Sequence, residues 1–116
     1  MPGAGSVAYP KPEPRKRIKA RRKRQQRKVV ADVRAYVFAR ERGMCRCCHY
    51  RPAESMHEII FRSQGGKVTP ENSIAVCGDG VRGCHGRLHR RDITIQVGPL
   101  GAEGYLLIQH WKEGHQ

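Results

Sequence analysis

Between Val29 and Arg42 the apolar positions Val29, Val30, Val33, Val37 and Phe38 recur at helical spacing. That pattern predicts an amphipathic helix, ended by Gly43. The period then disappears in the knuckle CRCCHYRP. Two short apolar runs follow, His57–Phe61 and Ser73–Val76, and both read as strands. The segment between them, SQGGKVTP over Ser63–Pro70, is a loop with two adjacent glycines. Cys84–Arg91 reads as a short helix. Ile93–Val97 and Tyr105–His110 alternate with period two around GPLGAEG, a hairpin that Tyr105 and Trp111 are expected to pack. No internal repeat is present. The expected class is small α+β.

Ahead of the first helix the pattern is one of charge. MPGAGSVAYPKPEP is rich in Pro, Gly and Ala, and RKRIKARRKRQQRK follows it. The chain carries 23 Lys and Arg against 10 acids, a formal net charge of +13. Residues 1–28 hold 11 of the basic residues and one acid, Glu13. Like charges this dense repel and have little apolar surface to bury, so 1–28 is expected to be a disordered arm, with one folded domain over 29–116. Its side chains suit phosphates, with Arg15, Lys16, Arg17, Arg21, Arg22, Lys23 and Arg24 as candidate contacts. Helix formers dominate the run, so it is expected to turn helical on DNA. No apolar run is long enough to span a bilayer, and no apolar stretch of the secretory type follows the N-terminal charges. A cytoplasmic protein with a nucleic-acid partner is the expectation.

The five cysteines are bunched as metal-binding thiols are, not spread as a disulfide framework. Cys45 and Cys48 have the spacing that turns two thiolates onto one tetrahedral ion. Cys77 and Cys84 make a second pair across GDGVRG, whose three glycines let the loop fold back. Together they predict a closed, structural zinc site, a reasonable staple for so small a core. Cys47 is the spare. Asp79, inside that loop, is explained by turn formation. His85 and His89 stand four apart and share one face of a helix. His57, on a preceding strand, makes a third imidazole for a divalent ion that keeps positions open for a phosphate oxygen and a water. Arg62, Arg87, Arg90 and Arg91 are expected around that site as phosphate clamps.

MHEIIFRSQGG, then Asn72, then GDGVRGCHGRLH resembles the HNH endonuclease family, the ββα-metal nucleases, and in particular small zinc-stapled members encoded by phages and prophages. The resemblance covers residues 43–92. It implies a ββα-metal module carrying a four-cysteine zinc knuckle, flanked by the helix and the hairpin. It implies divalent-metal-dependent hydrolysis of DNA phosphodiesters with low sequence specificity. The ion would be Mg²⁺ or Mn²⁺, with Zn²⁺ or Ni²⁺ also suited to three imidazoles. Phage terminase subunits are an implied protein partner. Counting back from Gly65-Gly66 puts His57 at the family's metal position and Glu58 where the family usually has its histidine general base. Asn72 would orient the base and tie the strands. Three readings of the departure at Glu58 stay open: Glu58 is the base, His57 is the base with the ion left to His85 and His89, or cleavage is lost and binding kept. A non-catalytic zinc-stabilised DNA-binding module is thus the alternative function.

Overall fold

The computed structural model describes residues 10–110, which form a small α+β unit. In chain order the elements are α1 (Arg15–Arg40), β1 (Ser55–Glu58), β2 (Ser73–Val76), α2 (Gly83–His89), β3 (Ile93–Val97) and β4 (Leu106–His110). Single 3-10 turns stand at Arg62–Gln64, Pro70–Asn72 and Gly101–Glu103. The strands make two antiparallel pairs, β1 with β2 and β3 with β4. No helix among the described residues is long and apolar enough to cross a membrane.

α1 corrects the expected boundary at residue 28. The helix begins at Arg15 and runs unbroken for 26 residues, so the basic run and the amphipathic run are one element. Helix propensity accounts for this: Arg, Lys, Gln and Ala are among the best helix formers, and the helix is anchored downstream by tertiary packing. Only Val33 and Val37 are buried along it. Nearly every residue from Arg15 to Lys28 is exposed, so half of α1 stands clear of the core. Residues 1–9 of the expected arm, and Trp111, lie outside the described residues.

β2 is the spine of the fold, with all four residues buried. Alternation along it separates two cores. Ala75 packs with Val33, Val37 and Val68 beneath α1. Ile74 and Val76 pack on the other face with Cys45, Cys77, Cys84, Leu88, Ile93 and Leu106. Arg40, near the end of α1, fixes the helix to this strand by donating to the carbonyls of Ser73 (2.6 Å) and Pro70 (2.8 Å). Glu41 completes the joint by pairing with Arg40 at 3.1 Å and Arg46 at 2.7 Å.

The first strand lies upstream of its expected place, at Ser55–Glu58 and not His57–Phe61. Ile59 N still donates to Asn72 O at 2.8 Å, and beyond it the ladder is taken over by a side chain. Asn72 accepts from Ile60 N (2.8 Å) and donates to Ile60 O (2.9 Å) and Lys67 O (2.9 Å). Ile60 and Phe61 are therefore carried out of the sheet and exposed. The glycine pair closes this loop: a Cβ on Gly66 would fall on the Ile60 carbonyl. α2 is also shorter than Cys84–Arg91. Arg91 takes a left-handed φ of 64° and Asp92 N donates to Arg87 O at 2.8 Å, which ends the helix. In the hairpin, Tyr105 precedes β4 and is 85% exposed, so it does not pack as expected.

Candidate metal centres

The four expected thiols converge. One sulfur each from Cys45, Cys48, Cys77 and Cys84 lies within 4.8 Å of the others. Cys48 and Cys77 sulfurs are 4.0 Å apart, close to the ~3.8 Å that tetrahedral Zn–S bonds of about 2.3 Å would set. The six-residue spacing works because the loop doubles back. Gly78 has φ +81°, and a Cβ there would strike the Arg82 carbonyl. Asp79 Oδ1 accepts from Val81 N and Arg82 N, each at 2.8 Å, so its turn-forming role is as expected. Backbone N–H groups then reach the sulfurs: Cys48 N to Cys45 (3.5 Å) and Cys84 N to Cys77 (3.4 Å).

The thiol chemistry fits a cation. A hydrogen bond from Cys47 draws the Cys45 thiol down to about 3, while the same contact pushes the Cys47 thiol up. Burial pushes Cys77 and Cys84 up. Buried thiols of that kind stay protonated unless a positive ion stabilises the thiolate, which a metal such as zinc supplies. Cys47 lies outside the four.

Three imidazoles form a second cluster. His57, His85 and His89 each bring one ring nitrogen within 4.8 Å of the others. Ring centroids are 5.2 Å apart for His57–His85, 5.5 Å for His57–His89 and 4.7 Å for His85–His89. The Nε2 atoms of His85 and His89 face each other at 3.0 Å. The local folding is simple. His57 sits opposite Ile74 in the ladder, so its ring shares the Ile74 face on which α2 packs. His85 and His89 are one helical turn apart on α2. His57 is buried, His85 half-buried and His89 exposed, so the cluster has a floor and an open mouth. Burial, then the neighbouring histidines, holds His57 down to about 4, and burial lowers His85 as well. Both are therefore neutral near neutral pH, the form that binds a cation.

Ser55, not singled out from the sequence, belongs to this cluster. Its hydroxyl lies 2.7 Å from His85 Nδ1 and donates to Gly78 O at 2.8 Å. A signal existed: Ser55 is two residues before His57 on one strand, hence on the same face.

Other expected residues fall elsewhere. Glu58 is paired with Ser73 in the ladder, so alternation turns it to the α1 face, and its carboxylate meets Arg62 at 3.2 Å. It is not among the residues whose ligand atoms converge with the three histidines. Asn72 ties the strands through the Ile60 backbone. Arg87 and Arg90 fall on the thiol side of α2. They line a cleft of about 600 Å³ beside the thiols, together with Arg51 and Arg82, which were not foreseen. Arg90 is also held by Val81 O at 2.8 Å and Asp92 at 3.3 Å. Arg91 caps the end of α2.

The chain matches no protein-family model, and neither the curated proteins nor the solved structures contain a significant match.

Proposed function

We propose that this chain is a divalent-metal-dependent endonuclease of the HNH type acting on DNA, with a structural zinc on Cys45, Cys48, Cys77 and Cys84. The observation that carries the reading is the convergence of His57, His85 and His89 at the junction of a strand pair and a short helix, with one side open. Three neutral imidazoles fit Mn²⁺, Mg²⁺, Zn²⁺ or Ni²⁺, the later metals best. A bound divalent ion would supply Lewis-acid stabilisation of a phosphate oxygen and of the leaving oxygen.

The chain's own residues do the rest. The exposed basic half of α1 holds the phosphate backbone electrostatically. Its rigidity as a helix orients that grip relative to the histidines. His57 serves as a ligand, because its ring nitrogen converges with those of His85 and His89. Proton removal falls to Glu58, once an incoming phosphate competes for the Arg62 guanidinium that now pairs with it.

One observation favours a second reading. Glu58 faces α1 and is already ion-paired, so a chain that binds DNA without cutting it also accounts for the geometry. Supercoiled plasmid separates the two. The nuclease reading expects open circles with Mn²⁺ or Mg²⁺, none with EDTA, and a large loss of rate in Glu58→Gln. Plasmid that is shifted on a gel but stays supercoiled under every ion supports the binding module.

A further inference from the structure

Two hydrogen bonds at Ser55 fix the place of a proton. The Ser55 hydroxyl has one hydrogen, and Gly78 O, 2.8 Å away, is an acceptor only. The hydrogen is therefore committed to Gly78. The second contact, 2.7 Å to His85 Nδ1, then requires His85 to be the donor. His85 accordingly carries its proton on Nδ1 and presents a bare lone pair at Nε2. That is the nitrogen that faces His89 Nε2 at 3.0 Å.

We infer that Ser55 is a positioning residue for the histidine site: it selects the His85 tautomer that offers Nε2 to a divalent cation. The inference rests on the metal-site reading above. Outer partners of this kind orient a ligating imidazole and raise its basicity.

The same hydroxyl also joins the two clusters. Gly78 follows the thiol Cys77, and His85 follows the thiol Cys84. His85 N donates to Cys77 O at 3.0 Å. Closing the thiol cage sets the Gly78 carbonyl, which sets the Ser55 hydroxyl, which sets the His85 ring. The cage thus preorganises the histidine site and does more than hold the fold. In the ion-free state His89 donates its Nε2 hydrogen to His85; to offer Nε2 to a cation, His89 would carry that proton on Nδ1 instead.

The test uses the full chain carrying one equivalent of zinc. Imidazole nitrogen–hydrogen correlation spectra report the tautomer of His85 without a second ion, and Ni²⁺ titration calorimetry reports affinity at the histidines. The expected wild type shows the Nδ1–H form. Ser55→Ala shifts His85 toward Nε2–H and weakens Ni²⁺ by about 10- to 100-fold, while Ser55→Thr restores both. An Nε2–H form in the wild type, or a Ser55→Ala protein unchanged in both readouts, overturns the role of Ser55. Because the tautomer is read without nickel, a wild type that holds the Nδ1–H form yet binds no Ni²⁺ contradicts the proposed function and leaves the Ser55 assignment standing on its spectrum.

Discussion

Asn72 bonds both backbone groups of Ile60 with its carboxamide, accepting from the N–H at 2.8 Å and donating to the carbonyl at 2.9 Å. A side chain here continues the β1–β2 ladder past its last backbone pair and, through Lys67 O, holds the Gly65-Gly66 loop as well. Removing it in Asn72→Ala leaves backbone groups without partners, at a cost of about 1–3 kcal/mol. Asn72→Asp keeps the acceptor and loses both donated bonds, so it is expected to recover part of that loss. Urea midpoints of the three proteins check the order, and a fully stable Asn72→Ala would remove Asn72 from the strand joint.

The thiol cage separates its four members from the fifth cysteine. Cys84→Ser is expected to lose the zinc and, with it, the cooperative transition, since a structural ion in a small domain contributes on the order of 10 kcal/mol. Cys47→Ala keeps one zinc per chain, because Cys47 lies outside the converging four. Metal content by native mass spectrometry, paired with thermal melts, distinguishes the two. A Cys47 variant that loses its zinc would reassign the ligands.

Both clusters are legible in the sequence because their ligands come in short local pairs, Cys45 with Cys48 and His85 with His89, whose spacing suits a shared site. What the sequence hides depends on single-residue direction or on long-range competition. The apolar run starts a strand at His57, and nothing local shows that Asn72 ends it early by capturing Ile60 twelve residues away. With the strand shifted, Glu58 falls opposite Ser73 and turns to α1, away from the histidine it follows. Charge repulsion taken alone predicts a disordered arm. Helix propensity, extended from the packed turns at Val33 and Val37, outweighs that repulsion across Arg15–Lys28.

That exposed helix makes its own prediction. Replacing Arg21, Arg22, Lys23, Arg24 and Arg27 by Gln leaves the core untouched, since none of the five is buried. DNA affinity is expected to fall together with its salt dependence, by about 0.9 in the log–log slope for each phosphate that the helix no longer neutralises. Fluorescence anisotropy over a salt series measures both. An unchanged slope would detach α1 from the DNA.

His57 also gives stability a pH dependence. Its ordinary value is 6.5 and burial lowers it to about 4 in the folded chain, so the unfolded chain takes up the proton first. The contribution is fully present above 6.5 and is lost as the pH falls toward 4. Wild type should therefore lose more stability over that interval than His57→Gln, in denaturant titrations run at matched zinc. Metal affinity at the histidines should fall over the same interval, because protons compete for the same lone pairs. Equal pH profiles for the two proteins would mean that His57 is not buried as a neutral ring.

The central claim is that a cation held by His57, His85 and His89 acts directly on a DNA phosphate. It is tested most directly by cleavage of a duplex bearing a stereopure phosphorothioate, in which sulfur replaces one phosphate oxygen. Wild type should cut the ordinary duplex in Mg²⁺ and Mn²⁺, cut one phosphorothioate isomer slowly in Mg²⁺, and recover on that isomer in Mn²⁺, while folded His89→Ala cuts neither. A wild type that shifts the duplex on a gel but leaves it intact under every ion, or a His89→Ala protein that cuts as well as wild type, would contradict it.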